Sequence, residues 1–237
     1  MGWVEAIGTV AASIVALALG LGLADWWKRP KLSLHSDPYD VSDRVVTTTV
    51  AGEFAAYLRL RVRNDGRSSA RGVQVAIVSV ETWPDNTRRW IRGKPELDGR
   101  PLTWANDPRA TADIPAGVER YLDVVWIPRR WQEQGQMPLV LSIQLPHPAN
   151  NAQVLGPGGW RLRLQVSGDN IPATPYEIQV TFDGYWPADP PHRIWDAVAV
   201  RGPASTIDAD EPPRPRMRGA EQQLAQAMAN DEGQGPD

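Results

Sequence analysis

The residues able to do chemistry are few and scattered. None of the 237 residues is cysteine, which removes a thiol nucleophile, a Cys-based zinc site and a disulfide frame. The three histidines, His35, His147 and His192, lie far apart, so no histidine-rich metal site is drawn. Asp37, Asp40 and Asp43 share one Asp-Pro-Tyr-Asp-Val-Ser-Asp run. Carboxylates at such spacing can ligate calcium. The run has no glycine at the bend and no closing glutamate, however, and reads rather as a solvated loop. Gly156-Pro157-Gly158-Gly159 leads into a strand, not into a helix N-terminus, so it lacks the setting of a phosphate cradle. It reads as a hairpin turn. No Gly-x-Ser-x-Gly elbow and no His-Glu-x-x-His pair occurs. The expectation is a protein without cofactor or metal, and not an enzyme.

Two residue types remain as candidate binding groups. Arg59, Arg61 and Arg63 alternate along one segment, and Arg161 and Arg163 along another. If the two strands neighbour one another, the five form a basic stripe that could meet anionic lipid headgroups, at about 1 kcal/mol per charge, or an acidic protein. The alternative is a solvated face balanced by carboxylates. Like charges repel across a sheet, so paired acids such as Glu177 are expected. There are 11 tryptophans. Trp126 and Trp160 sit in alternating segments and read as core. Trp83, Trp90 and Trp104 lie in or beside loops, where exposed rings could stack on sugars or pack into a partner. Trp186 and Trp195 flank Pro187-Ala188-Asp189-Pro190-Pro191 and are placed to pin it.

These groups must be positioned by strands. Lys31 to His35 alternates, and so does Tyr57 to Arg63, with Leu58, Leu60 and Val62 on one side and the arginines on the other. Val73, Val75, Ile77 and Val78 to Val80 form a further apolar run that ends at Trp83-Pro84-Asp85-Asn86. Arg120 to Ile127, Pro138 to Leu145, Trp160 to Val166 and Tyr176 to Phe182 read the same way. Arg129 to Gln136 is the one short helical stretch between them. Residues 85–116 are irregular, with a short hairpin or a long loop around Leu102-Thr103-Trp104. Many short strands with Gly and Pro turns define an antiparallel sandwich or barrel.

Leu60-Arg61-Val62-Arg63-Asn64-Asp65-Gly66, followed by Ala70, Val73 and Val75, resembles a hairpin of bacterial immunoglobulin-like, adhesion-type sandwich domains. The shared pattern is V-x-N-x-G-x-x-x-A-x-x-V-x-V. Asn and Gly there suit a left-handed turn, and Ala tucks under the sheet. The resemblance covers about 16 residues and implies the fold. Many such domains are extracellular.

The first thirty residues are of another kind. Ala6 to Ala24 carries no charge over 19 residues, close to the roughly 20 that cross a bilayer core as a helix. Trp3 precedes the run and Trp26 and Trp27 follow it, where membrane-interface aromatics belong. The segment before it holds an acid and no Lys or Arg, which disfavours a cleaved signal peptide. Lys28, Arg29 and Lys31 follow it. The positive-inside rule then leaves the N-terminus outside and the remaining chain in the cytoplasm. Gly8, Ala12, Ala16 and Gly20 recur every four residues, a spacing that lets helices approach closely in lipid. Chance in an Ala-rich span gives the same spacing.

From Pro203 onward there are seven acids, three arginines and no aromatic, the composition of a disordered tail. Ala220, Leu224, Ala227 and Met228 at helical spacing read as a transient or partner-binding helix within it. The net charge of −3 argues against a nucleic-acid binder. Only three of the 25 basic residues are lysine, the bias of a high-GC bacterial or phage genome. The sequence therefore predicts an anchor with its flanks over 1–29, a mainly β, antiparallel immunoglobulin-like sandwich over 30–202, and an acidic tail over 203–237. The expected setting is the bacterial plasma membrane, and the expected role is an adaptor or assembly subunit that binds another protein. An exported, wall- or carbohydrate-binding sandwich is the alternative. Gly8→Ile or Gly20→Ile is expected to weaken cross-linked oligomers of the span, scored on denaturing gels. Unchanged oligomers would remove the helix-pairing idea.

Overall fold

The computed structural model describes residues 7, 10, 12–17, 20, 28–37, 39–48, 52–107, 109–130, 137–144, 151–186, 190–205, 207 and 211–215. Trp3, Gly8, Trp26, Trp27, Trp131, His147 and the helical pattern of 219–230 lie outside them. Among the described residues the chain forms two antiparallel sheets around one apolar core. The arrangement is compatible with an immunoglobulin-like fold.

Sheet one contains β1 (Leu32–His35), β2 (Arg44–Thr48), β3 (Phe54–Asn64), β6 (Thr103–Trp104), β8 (Glu119–Pro128), β9 (Leu139–Leu141) and β10 (Val154–Leu155). Sheet two contains β4 (Ala70–Trp83), β5 (Ile91–Arg92), β7 (Ala112–Ile114), β11 (Gly158–Gly168), β12 (Ile171–Phe182) and β13 (Val198–Ala204). Alternation explains the long strands. Leu58, Leu60 and Val62 of β3 face Leu162, Leu164 and Val166 of β11 across the core, and all six are buried. The irregular 85–116 segment supplies β5, β6, β7 and a 3-10 turn at Pro95–Leu97 that buries Leu97.

Two strands change parity part-way. In β4, Val73, Val75 and Ile77 point inward, and so does Val80. The extra residue is Val78, where the β4–β11 register shifts. In β8 the register against β3 shifts between Arg59 opposite Asp123 and Leu58 opposite Val125. A bulge inserts one residue and so exchanges the two faces. It turns Trp126 outward, stacked on Tyr57 with ring centroids 6.3 Å apart, so this tryptophan is not in the core as alternation alone predicts. Trp160 is.

Gly156–Gly159 is likewise not a hairpin turn. It joins β10 of sheet one to β11 of sheet two, a crossing between layers. Trp186 is buried and donates its indole N–H to the Pro191 carbonyl at 3.1 Å, and Trp195 packs on the core. Residues 187–189 of the segment between them lie outside the described residues.

The Asn64–Gly66 corner works differently from the turn expected of it. Neither residue has a positive φ. Asn64 is buried and its side-chain amide is fully used. Oδ1 accepts the N–H groups of Lys31 (3.2 Å) and Gly66 (3.0 Å), and Nδ2 donates to the carbonyls of Ser68 (2.8 Å) and Ile114 (2.9 Å). Gly66 is required by crowding. A Cβ there would lie 2.5 Å from the Lys31 nitrogen and from the Pro30 Cα. Ala70 is buried at the start of β4, as the motif implies.

Residues 7, 10, 12–17, 20 and 28 are helical, Ala12, Ala16 and Gly20 among them. Among the described residues no helix is long and apolar enough to cross a membrane. At the other end β13 runs to Ala204, and Pro213 and Pro215 are buried. Part of the segment assigned to the acidic tail therefore lies on the sandwich. Asn64→Ala leaves four backbone groups without their partner, and an expected loss is about 3 kcal/mol or more. Urea unfolding of the full chain in detergent measures it. Gly66→Ala should strip hydrogen-exchange protection from Leu32–His35 while β11 and β12 keep theirs.

Candidate functional site

The two arginine tracks are not brought together. Arg59, Arg61 and Arg63 belong to β3 in sheet one, and Arg161 and Arg163 to β11 in sheet two. No single stripe forms, and each track is neutralised by acids on its own face.

On sheet one, Arg59 donates to Asp123 at 2.7 Å, and Arg63 pairs with Asp65 at 2.9 Å. Arg61 reaches Asp40 at 3.2 Å and Asp43 at 3.1 Å. The Asp37–Asp43 loop is thus not a free carboxylate set. Asp43 is wholly buried and also accepts the Asp37 N–H at 2.6 Å. Burial pushes its carboxyl above the usual range, against the Asp37 N–H and the Arg61 charge. The Ser42 N–H holds Asp40 below it. Two of the three acids thus face a cation of the chain itself. Among the described residues no group of three or more side chains is placed to hold a metal ion.

Beside this row lies an open groove of about 590 Å³ lined by His35, Ser36, Asp37, Arg61, Arg63, Asp65 and Glu119. Ser33 at its edge donates to Asp65 at 2.5 Å and lies 2.8 Å from His35 Nε2. The order differs from a Ser-His-Asp relay, where the imidazole stands between hydroxyl and carboxylate. Here the hydroxyl stands between the other two, so His35 is not set up to take its proton. Sequence reading missed this cluster. Its signal was the period of two in β1, which puts Ser33 and His35 on one face, opposite Arg63 and Arg61.

Sheet two has the more unusual outer face. Its side chains form rows across the strands. Thr181, Gly159 and Trp83 make the first. Gln179, Arg161 and Glu81 make the second, and Glu177, Arg163 and Ser79 the third. Outward positions of a sandwich are ordinarily solvated, yet here Glu177 is 6 % exposed and Gln179 0 %. Arg161 is paired with Glu81 and lies 3.9 Å from Glu177, which also lies 3.5 Å from Arg163. Glu177 therefore stands where charge balance required an acid.

The cover comes from two segments. Trp90 lies over the Arg161 guanidinium at 4.7 Å from the ring centroid and meets Trp83 edge-on at 5.3 Å. The second cover is the stretch 211–215. Pro212 sits on Gly159, where a Cβ would come within 2.9 Å of the proline ring. Arg201 of β13 donates to the Gln179 side chain at 3.1 Å and to the Glu211 carbonyl at 2.9 Å, tying strap to sheet. On the strands and loop of this sheet, Ser79 Oγ, Glu177 Oε1, Gln179 Nε2, Thr181 Oγ1 and Trp90 Nε1 are buried without a hydrogen-bond partner among the described residues.

The expected binding aromatics separate accordingly. Trp104 is 2 % exposed, donates to the Ala110 carbonyl at 3.3 Å and is not a surface platform. Trp83 and Trp90 are half-buried and pack on each other, and Trp90 also lies over Arg161. Of the basic flank, Lys28 and Arg29 are exposed, and the Lys31 backbone is held by Asn64 and Asp65. The fold and this face define an antiparallel β-sandwich of two sheets with a chain segment strapped over one outer surface. No family model, curated protein or solved structure matches the chain.

The Arg59–Asp123 pair gives a pH test. Burial raises the Asp123 carboxyl more than the Arg59 guanidinium lowers it, from an ordinary value of 3.8. The folded chain then holds that proton to higher pH than the unfolded chain. Its contribution to stability is present below 3.8 and is lost as pH rises through the folded value. Asp123→Asn removes the loss. Relative to wild type, the variant should gain stability between pH 4 and pH 7 in urea titrations, and a relative loss would contradict the assignment.

Proposed function

We propose that the chain is a single-pass protein of the bacterial plasma membrane whose cytoplasmic β-sandwich binds another protein, as an adaptor or assembly subunit. The observation that carries the binding reading is the outer face of sheet two. Five buried polar atoms there lack hydrogen-bond partners among the described residues, beside the Arg161–Trp90–Trp83 cluster. Leaving such groups unmade costs about 1–3 kcal/mol each, so a surface of this kind is suited to polypeptide cover rather than to bulk water. Arg and Trp are also the residue types that dominate protein contacts.

The anchor reading is supported by the uncharged run 6–24 and its basic flank. Ile7, Val10, Ile14, Val15 and Leu17 are helical, and each is more than half exposed. Apolar side chains in that state are satisfied by lipid or by a second helix. Pairing of anchors through Ala12, Ala16 and Gly20 would make the protein a homo-oligomer.

A photo-crosslinking residue placed in the full chain at Val78 or Arg163, both exposed on sheet two, is expected to give one discrete protein adduct in cells. A probe at exposed Thr48 of sheet one should give none. Adducts from Thr48 alone, or from none of the three, would overturn the assignment of the surface. A C-terminal reporter active only in the periplasm would overturn the cytoplasmic placement.

A further inference from the structure

The strap over sheet two is itself a ligand in form. Glu211-Pro212-Pro213-Arg214-Pro215 holds three prolines in five residues. Proline fixes φ near −65° and biases the residue before it away from the helix. Glu211, Pro212 and Arg214 each precede a proline, so the stretch is extended by covalent constraint, with little ordering entropy left to lose on docking. Its three proline nitrogens carry no hydrogen, so its backbone bonds mainly by accepting, as the Glu211 carbonyl does from Arg201 at 2.9 Å. Pro212 lies against Gly159, next to the Trp83 Cβ, while Pro213 and Pro215 are buried and Arg214 is exposed. A proline ring seated on a strand glycine beside Trp83, with a side-chain donor reading a neighbouring carbonyl, is similar to the way grooves take extended proline-rich peptides.

We infer that the outer face of sheet two is a receptor for an extended, proline-rich segment of a partner protein, and that residues 211–215 occupy it in cis until the partner displaces them. The inference rests on the protein-binding reading above and names the chemistry of the partner. Two observations show that the strap fills the site incompletely. The Gln179 amide and the Thr181 hydroxyl on the same face each keep a polar atom without a hydrogen-bond partner among the described residues. The strap, for its part, brings one side-chain acceptor, on Glu211, which lies 3.5 Å from its own Arg214. A competing segment with the same prolines and with polar side chains between them makes the bonds the strap does not. Only six residues separate Ala204 from Glu211, so the strap acts at high effective concentration. A free peptide therefore meets a receptor that is open only in part, and its apparent affinity falls by that fraction.

The test uses the full chain in detergent micelles and a fluorescein-labelled peptide of residues 208–217, read by anisotropy. Pro212→Ser with Pro213→Ser releases the strap and should tighten peptide binding on the order of tenfold over wild type. Adding Gly159→Val, whose side chain takes the place of Pro212, should abolish it. A peptide with its prolines replaced by serine should not bind. Pro215→Ser, which alters the strap and leaves the receptor face intact, should also tighten binding, and it serves if the double variant does not fold. Equal affinity in wild type, double variant and Pro215→Ser would overturn the proposal, as would binding that survives Gly159→Val. Peptide-free dimers of Pro215→Ser that vanish with Gly159→Val would overturn the choice of a separate partner in favour of a second copy. Failure of the peptide with crosslinks retained at Val78 and Arg163 removes this inference and leaves the adaptor reading standing. Peptide binding without crosslinks removes the adaptor reading instead.

Discussion

The Asn64 side chain sits where the chain twice changes layers. β3 ends at Asn64 in sheet one, and β4 begins six residues later in sheet two. β7 ends at Ile114 in sheet two, and β8 begins at Glu119 in sheet one. The amide bonds the carbonyls of Ser68 and Ile114, one in each crossing, and the N–H of Lys31, where the N-terminal segment joins β1. The Asn64 backbone adds bonds from Gly117 and to Val118. Three stretches distant in sequence are therefore held by one residue with no valence to spare. The relative placement of the two sheets, and the attachment of β1, both depend on it. Gly66 serves the same junction by being small enough to let residues 29–31 pass.

From that corner the strands run out and the charges follow their register. The bulge in β8 lets Arg59 face Asp123, and the bulge at Val78 keeps Glu81 and Trp83 outward beside Arg161 and Gly159. Were Val78 paired in regular alternation, with no bulge, Val80 would face out and Glu81 would enter the core, at the several kcal/mol that an unpaired buried ion costs. The outer faces then diverge. Sheet one buries Asp43 and Asp123 and leaves the Arg63–Asp65 pair open to water. Sheet two buries Glu177 and Gln179 and nearly buries the Arg161–Glu81 pair, while Arg163 stays exposed.

Much of this was legible in local pattern. The period of two located the long strands, and the Asn-x-Gly motif marked the corner. Like-charge repulsion on β11 pointed to Glu177. The parity breaks were also present, at Ile77 to Val80 and at Leu122 to Val125, and a reading that followed parity would have turned Trp126 outward. What escaped depends on partners far away in sequence. Asn64 draws its bonds from residues up to 50 positions distant, and no local rule names them. Gly156–Gly159 has the composition of a hairpin because glycine suits any abrupt change of direction, including a crossing between sheets. Composition averaged over 203–237 hid the strap, since three prolines in five residues carry little weight in a 35-residue acidic window.

The geometry of β11 connects the two ends of the molecule. Its Gly168 end lies at the Asn64 corner, where a Cβ on Gly168 would touch the Arg71 carbonyl at 2.7 Å. Its Gly159 end carries Pro212. The strand between them spans roughly 30 Å at about 3.3 Å per residue. The chain leaves the sandwich toward its N-terminal helical residues at Lys31, beside Asn64. Under the anchored reading, that corner is drawn toward the bilayer and the strap face is held on the order of 30 Å along the sheet from it. A surface at that distance is beyond several Debye lengths of the headgroup charge. What selects its ligand is then packing of proline on Gly159 and Trp83 and the reach of Arg201, with the membrane supplying position and not affinity.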